Sequence, residues 1–372
     1  MDYFGVATRN RVAELQTEIV AGKKELRFEK GQGYLRSLLD ALGVSVESQT
    51  LVFSKTSVNL RLISPKTPRA IYFNDDVYIG WTPGAPALEI TAIDPVKGAI
   101  FYILPQSADG PPKLVREESC LLCHMATNSL QVPGQIVRSF LTDNVGNPTH
   151  GYSRVTHDTP FEKRWGGWYV TGKYEQLSHL GNLTTEAERE NHKADPSQST
   201  ALPTLRGRFD TSRYPSPHSD VVALMLLDHQ AHLHNLLARV TYEEKFKRKL
   251  NSEEELLRYL LFADAAPLAG PVAGTSGFAA WFEMQGPRDK QGRSLRQLDL
   301  HTRLPKYRCS YLIDSPAFDE LPPVVKSRLY RRLSEILTGR DTSAVFAAIP
   351  ADECRAIREI LRETKRDLPA DW

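Results

Sequence analysis

The sequence predicts an α+β chain: a helix and a small antiparallel sheet first, a segment carrying a cysteine motif in the middle, and a mainly helical C-terminal half. Three observations lead there. Short β-branched or aromatic runs fill residues 51–104, one C-x-x-C-H pentapeptide stands at 120–124, and helical periodicity takes over after Ser219.

Residues 8–43 read as helical, with charges from Glu14 to Lys30 and an apolar run ending near Gly43. Strands follow at Leu51-Val52-Phe53, Ala70–Phe73, Val77–Trp81, Leu88–Ile93 and Ala99–Leu104, separated by Asn74-Asp75-Asp76, Pro83-Gly84 and Asp94-Pro95. The polar stretch Ser107–Pro112 is the natural boundary before the cysteines. Beyond them, Ile136–Phe140 and Trp165–Thr171 look extended, with turn residues at Asn144–Pro148. Residues 184–217, with Pro196, Pro203, Pro215 and Pro217, read as an irregular surface excursion. Candidate helices are Asp220–Lys249, Ser252–Phe262, Gly277–Met284, Pro322–Leu337 and Ala351–Lys365; the Ala265–Gly277 loop is rich enough in glycine and proline to approach a cofactor. The expected units are 1–110, 111–183, 184–217 and 218–372, the last covering the segment that carries the cysteine motif.

Composition narrows the partners. The 372 residues carry 47 Lys and Arg against 45 Asp and Glu, so a formal charge of +2 gives no electrostatic reason for nucleic acid or an anionic membrane. A redox partner protein or a small-molecule substrate is expected instead. Apolar runs such as Val221–Leu227 fall well short of the roughly 18 residues that span a bilayer, so no membrane span is expected.

Cys120-Leu121-Leu122-Cys123-His124 matches the attachment sequence of c-type haem. Two thiols three residues apart on a turn entering a helix meet the two vinyl groups of one porphyrin, and the adjoining His124 reaches the iron from the proximal side. One covalent haem c is therefore expected. Zinc held by Cys120, Cys123 and two further ligands, or a redox dithiol, are the alternatives; no second C-x-x-C and no βαβ pattern accompany the pair. Met1-Asp2-Tyr3-Phe4 has no basic leader or apolar h-region, which alone reads as cytoplasmic. Haem attachment implies a periplasmic or secreted protein, so the chain reads as a mature or trimmed form. Cys309 and Cys354 either form one bridge or are two buried small hydrophobes.

The sixth iron position has several candidates. On the helix from Asp220, Val222, Met225, Leu226, His229, Leu233, Leu236 and Val240 share one stripe, with His232 at its edge and His234 projecting away from it, either solvated or bound to a neighbour. His229 is the first candidate for a distal ligand and Met225 the thioether alternative, each with plain core packing as its bland reading; His179 is third, and a vacant position is the fourth case. Trp165-Gly166-Gly167-Trp168-Tyr169 has the composition of an apolar wall where backbone nears a macrocycle, or of a bulged strand. Arg138, Arg154 and Arg164 are candidate partners for propionates.

The combination of Ser54-Lys55-Thr56-Ser57, Tyr72-Phe73-Asn74-Asp75-Asp76-Val77-Tyr78, the pentapeptide, Arg164–Gly172, Ser219–Leu224 and Asp228-His229-Gln230 resembles a family of bacterial proteins described only as containing a cytochrome c domain, with one haem on C-x-x-C-H. Gly274–Phe278 and Tyr307–Ile313 extend the likeness over nearly the whole chain. The resemblance implies a secreted or periplasmic haem protein and transfers no reaction. More than a hundred residues precede the motif and a long helical region follows, so this is not a small stand-alone cytochrome c fold. Extra mass can build a substrate pocket. The expected function is electron transfer or haem-dependent oxidoreduction, with a non-catalytic haem sensor and a zinc protein as the alternatives.

Overall fold

The computed structural model describes residues 3–5, 7–197, 201–248, 252–369 and 372, the side chains of 151–153 excepted. Each expected strand before residue 105 forms: β1 (Thr50–Val52), β2 (Arg69–Phe73), β3 (Val77–Trp81), β4 (Ala87–Asp94) and β5 (Gly98–Pro105) pair antiparallel in sequence order. The sheet also recruits strands from beyond residue 110. β6 (Val115–Arg116) adds to β5; β7 (Arg138–Thr142) and β8 (Pro148–Arg154) form a separate hairpin; and β9 (Trp168–Tyr169) adds to β1, making seven strands in the order β6-β5-β4-β3-β2-β1-β9. β10 (Lys173–Tyr174) pairs with β11 (Val272–Ala273).

Helix runs where turn chemistry permits. Residues 8–43 split into α1 (Arg11–Val20), capped by the Asn10 side chain, and α2 (Leu35–Leu42), stopped by Gly43 in the left-handed region at φ 65°. The stretch between them breaks at Gly22, Gly31 and Gly33, all at positive φ, which the charge pattern did not register. α3 (Leu121–His124) is the motif. α4 (Glu186–Ala194) lies inside the expected surface excursion, nucleated by a capping box in which Thr185 and Glu188 satisfy each other's backbone N–H. That excursion also reaches the interior, where Leu205, Phe209 and Tyr214 are buried.

α5 (Val221–Lys245) is the central beam, followed by α6 (Ser252–Leu260), α7 (Phe278–Met284), α8 (Pro316–Asp319), α9 (Pro323–Leu337), α10 (Ala344–Ala347) and α11 (Ala351–Thr364). One sheet face, with Tyr72, Ile79, Ile90 and Ile100, packs on α1 and α2. On the other, Phe73, Tyr78 and Phe101 join α5 and the C-terminal helices in a larger core. α5 is buried on every side, not on one stripe, because sheet and helices enclose it. Of the two expectations for His234, the second holds: it is not solvated but buried and bound to a neighbour, sharing a 2.9 Å hydrogen bond with the Tyr78 hydroxyl. No helix among the described residues is long and apolar enough to cross a membrane.

The enclosure leaves an acid weakness. Burial first, and neighbouring positive charge second in some cases, pushes His179, His232 and His234 down to about 3, and His157 and His229 well below their ordinary value. Burial also raises Asp228 to about 7 and Asp76, Asp158 and Asp314 to about 6. From pH 6.5 to 4.5 the effects oppose: the unfolded chain gains protons on imidazoles, the folded chain on carboxyls. Between pH 4 and 3 the unfolded carboxyls protonate as well, so their opposing effect fades and the imidazole deficit dominates. Each missing proton then removes about 1.4 kcal/mol per pH unit. The thermal midpoint should change little between pH 6.5 and 5 and drop steeply between pH 4 and 3; a midpoint unchanged down to pH 3 would contradict the neutral, buried histidines.

Candidate functional site

A short 3-10 turn, Glu118–Cys120, runs directly into α3. The Glu117 carboxylate accepts from Ser119 N–H at 3.0 Å and starts the turn. Cys120 and His124, four residues apart, share one side of α3, and Leu121 and Met125 the adjoining side. Cys123 is exposed and Leu122 is 85% exposed, an unusual position for a leucine beside two cysteines.

His124 is oriented by the loop that follows. Its Nδ1–H donates to the Gly134 carbonyl at 2.9 Å, and Gly134 N–H returns a bond of 2.9 Å to the His124 carbonyl. The Asn235 amide of α5 clamps Gln135, accepting from its N–H at 2.8 Å and donating to its carbonyl at 2.7 Å. A Cβ on residue 134 would sit 2.1 Å from the Asn235 oxygen, so this position takes glycine for lack of room. Burial lowers the His124 pKa, with Arg69 and Arg138 adding to the effect against the Gly134 bond. The ring is thus neutral, with Nδ1 occupied and the Nε2 lone pair available, the arrangement that fixes a histidine metal ligand.

The sheet face beside the motif is polar where strand alternation would place apolar residues. Register sets Ile71 opposite Gly80, Gly80 opposite Glu89, and Thr91 opposite Phe101. The Arg69 guanidinium crosses Gly80, where a Cβ would collide with it, and ion-pairs with Glu89. Glu89 Oε1 also accepts from Ser57 Oγ at 2.9 Å and Asn59 Nδ2 at 2.8 Å, tying down a segment whose Val58 is 81% exposed. Phe101 lies 4.9 Å from the His124 ring, and Arg69 Nε is buried without a partner. Burial, with Glu117 and Glu89 behind it, raises the Cys120 thiol to about 11. A pre-oriented imidazole, the exposed Leu122 beside it and an orphaned guanidinium N–H nearby fit a large, mostly apolar group with acidic substituents.

Two other sequence candidates border this region. Trp168 lies opposite Val52 at the sheet edge and donates Nε1–H to the Arg138 carbonyl at 2.7 Å; Arg138 is close enough to His124 to influence its charge. Trp165 belongs elsewhere: its indole donates at 3.0 Å to Asp228 on α5. Gly166 and Gly167 let the backbone approach the Phe140 carbonyl and Ser54, which corrects the expectation of a macrocycle against these glycines. Arg164 is buried against Asp228, donating to the carbonyls of Thr159 and His157.

The distal candidates are committed in the core. His229 pairs through Nδ1 with His157 Nδ1 at 2.7 Å and through Nε2 with Ser310 Oγ at 2.7 Å, its ring stacked parallel to those of His157 and Tyr259. His179 pairs through Nε2 with the Tyr174 hydroxyl at 2.6 Å and accepts from Gly181 N–H at Nδ1. Met225 is buried among the α5 leucines. The Ala265–Gly277 loop closes on the start of α5, where Thr275 and Ser276 N–H donate to Asp220. Cys309 and Cys354 are both buried free thiols. Among the described residues no three His, Cys, Asp or Glu side chains converge to hold a metal ion, which leaves a zinc site of Cys120, Cys123 and α5 histidines without a donor set.

No family model, curated protein or solved structure matches the chain. Sequence reasoning missed Arg69, Glu89, Phe101, Gly134 and the buried His157. The available signal was charge at Arg69 and Glu89 inside otherwise apolar strands; nothing local marks Gly134 or His157.

Proposed function

We propose that the chain is a monohaem c-type protein of the periplasm or cell exterior, acting in electron transfer or haem-dependent oxidoreduction. The observation that carries this is the His124 ring, neutral and oriented through Nδ1 by the Gly134 carbonyl within a C-x-x-C-H turn. Cys120 and Cys123 would tether the porphyrin, His124 would ligate the iron, and Arg138 and Trp168 would border it. Such a group supplies an iron that cycles between ferrous and ferric states. The polypeptide sets the conditions: Asn235 and Gly134 fix the imidazole, the Arg69–Glu89 pair places charge beside it, and Phe101 excludes water from one side.

The test is an alkaline pyridine spectrum of protein co-expressed with cytochrome maturation machinery. One haem c per chain is expected; stoichiometric zinc with no Soret band would end the proposal.

A further inference from the structure

A cavity of about 310 Å3 lies beside the motif, on the side of α3 that carries Leu121 and Met125. Pro133 forms part of its wall, and the N-terminal segment and the end of α5 contribute Phe4 and Phe246. These side chains are far from sealed: Phe4 is 60% exposed, Phe246 49% and Met125 47%. A single exposed aromatic needs no explanation, but three large apolar side chains lining one concavity form a prepared apolar surface. The polar end carries Arg239, Glu243 and Arg248, of which the first two neutralise each other and leave one positive charge. Arg239 is already held by Glu243 and the Leu130 carbonyl, whereas Arg248, its guanidinium 5.9 Å from the Phe246 ring centroid, has no carboxylate partner among the described residues.

We propose that this cavity binds a small planar aromatic molecule bearing one negative charge, its rings against Phe4, Met125 and Phe246 and its anionic group on Arg248. Aromatic faces and a thioether hold a flat ring through dispersion and edge contacts, and an exposed guanidinium selects the anion among ligands of similar shape. The site stands whether or not the haem reading does. If both hold, the bound molecule lies one residue from the turn that positions His124, since Pro133 immediately precedes Gly134.

The test compares two probes, 8-anilinonaphthalene-1-sulfonate and the uncharged N-phenyl-1-naphthylamine, on the full chain by calorimetry and fluorescence titration. One saturable site per chain is expected for the anionic dye. Phe246→Ala should weaken both dyes about tenfold, a loss of one aromatic contact surface. Arg248→Glu should weaken only the sulfonate by at least as much. Both positions are exposed, so the variants should keep the parent circular dichroism. Non-saturable binding, parent-like affinity in Phe246→Ala, or equal behaviour of the two dyes in Arg248→Glu would overturn the proposal. Haem content, read separately from the pyridine spectrum, leaves each of these outcomes unaffected.

Discussion

Protein carrying Cys120→Ala together with Cys123→Ala should leave the maturation pathway with no porphyrin on its mass, while the parent carries one. The double variant should still fold, because Cys123 is exposed and Cys120 is only half-buried against the core. Truncating one partly buried thiol costs on the order of 1 kcal/mol. His124→Ala should behave differently: both thiols remain, so attachment should persist in part, but the ferric spectrum should lose the signature of a histidine ligand. Gly134→Ala, which forces the Asn235 amide away, should produce a milder spectral change of the same kind. Intact mass and optical spectra read all three. Porphyrin retained on the double-alanine chain would place the cofactor elsewhere.

The second large effect concerns stability. Asp220 is completely buried, and its carboxylate accepts from the N–H groups of Val222 and Ala223 in the first turn of α5, and from Thr275 N–H, Ser276 N–H and Ser276 Oγ of the loop closing over it. Asp220→Ala leaves those backbone donors unpaired in the interior. A lost cap costs about 1 kcal/mol, and each further orphaned buried donor about 1–3 kcal/mol. A total on the order of 4 kcal/mol is expected, large against the stability of most domains. Asp220→Asn, which keeps one acceptor oxygen, should recover part of it. Denaturant midpoints measured at pH 7 decide the matter; a change under 1 kcal/mol for alanine would mean that the loop relaxes and finds other partners.

How far the sequence reveals this arrangement depends on the range of the forces involved. The strands from Thr50 to Pro105 were legible because β-branched and aromatic runs and tight turns are local signals, and α5, α6, α7, α9 and α11 because caps and periodicity are local too, whereas the single-turn helices α8 and α10 are too short to show a period. α4 was hidden by its polarity; its only mark is the Thr185/Glu188 capping box. His234 was left open between solvent and a neighbour because periodicity identifies a favoured face but does not show that a sheet, here through Tyr78, covers the other. Of the candidate site, the pentapeptide and the neighbouring Trp168 and Arg138 were legible. The carbonyl behind His124 was not, since its place depends on Asn235, far along the chain. His229 illustrates the converse: its buried position was correctly read from the stripe, yet His157 and Ser310, distant in sequence, take both of its nitrogens.

The Asn235 clamp also orders events in time. A hundred residues separate Gln135 from Asn235, so a growing or translocating chain presents its cysteines well before α5 emerges. Until then Leu122 and Cys123 belong to an unanchored strip, where the proposed attachment would have to occur; afterwards the same strip is bolted to the central beam. Under the proposed haem reading, insertion and folding would compete for one interval, and slowing the arrival of α5 should favour loading.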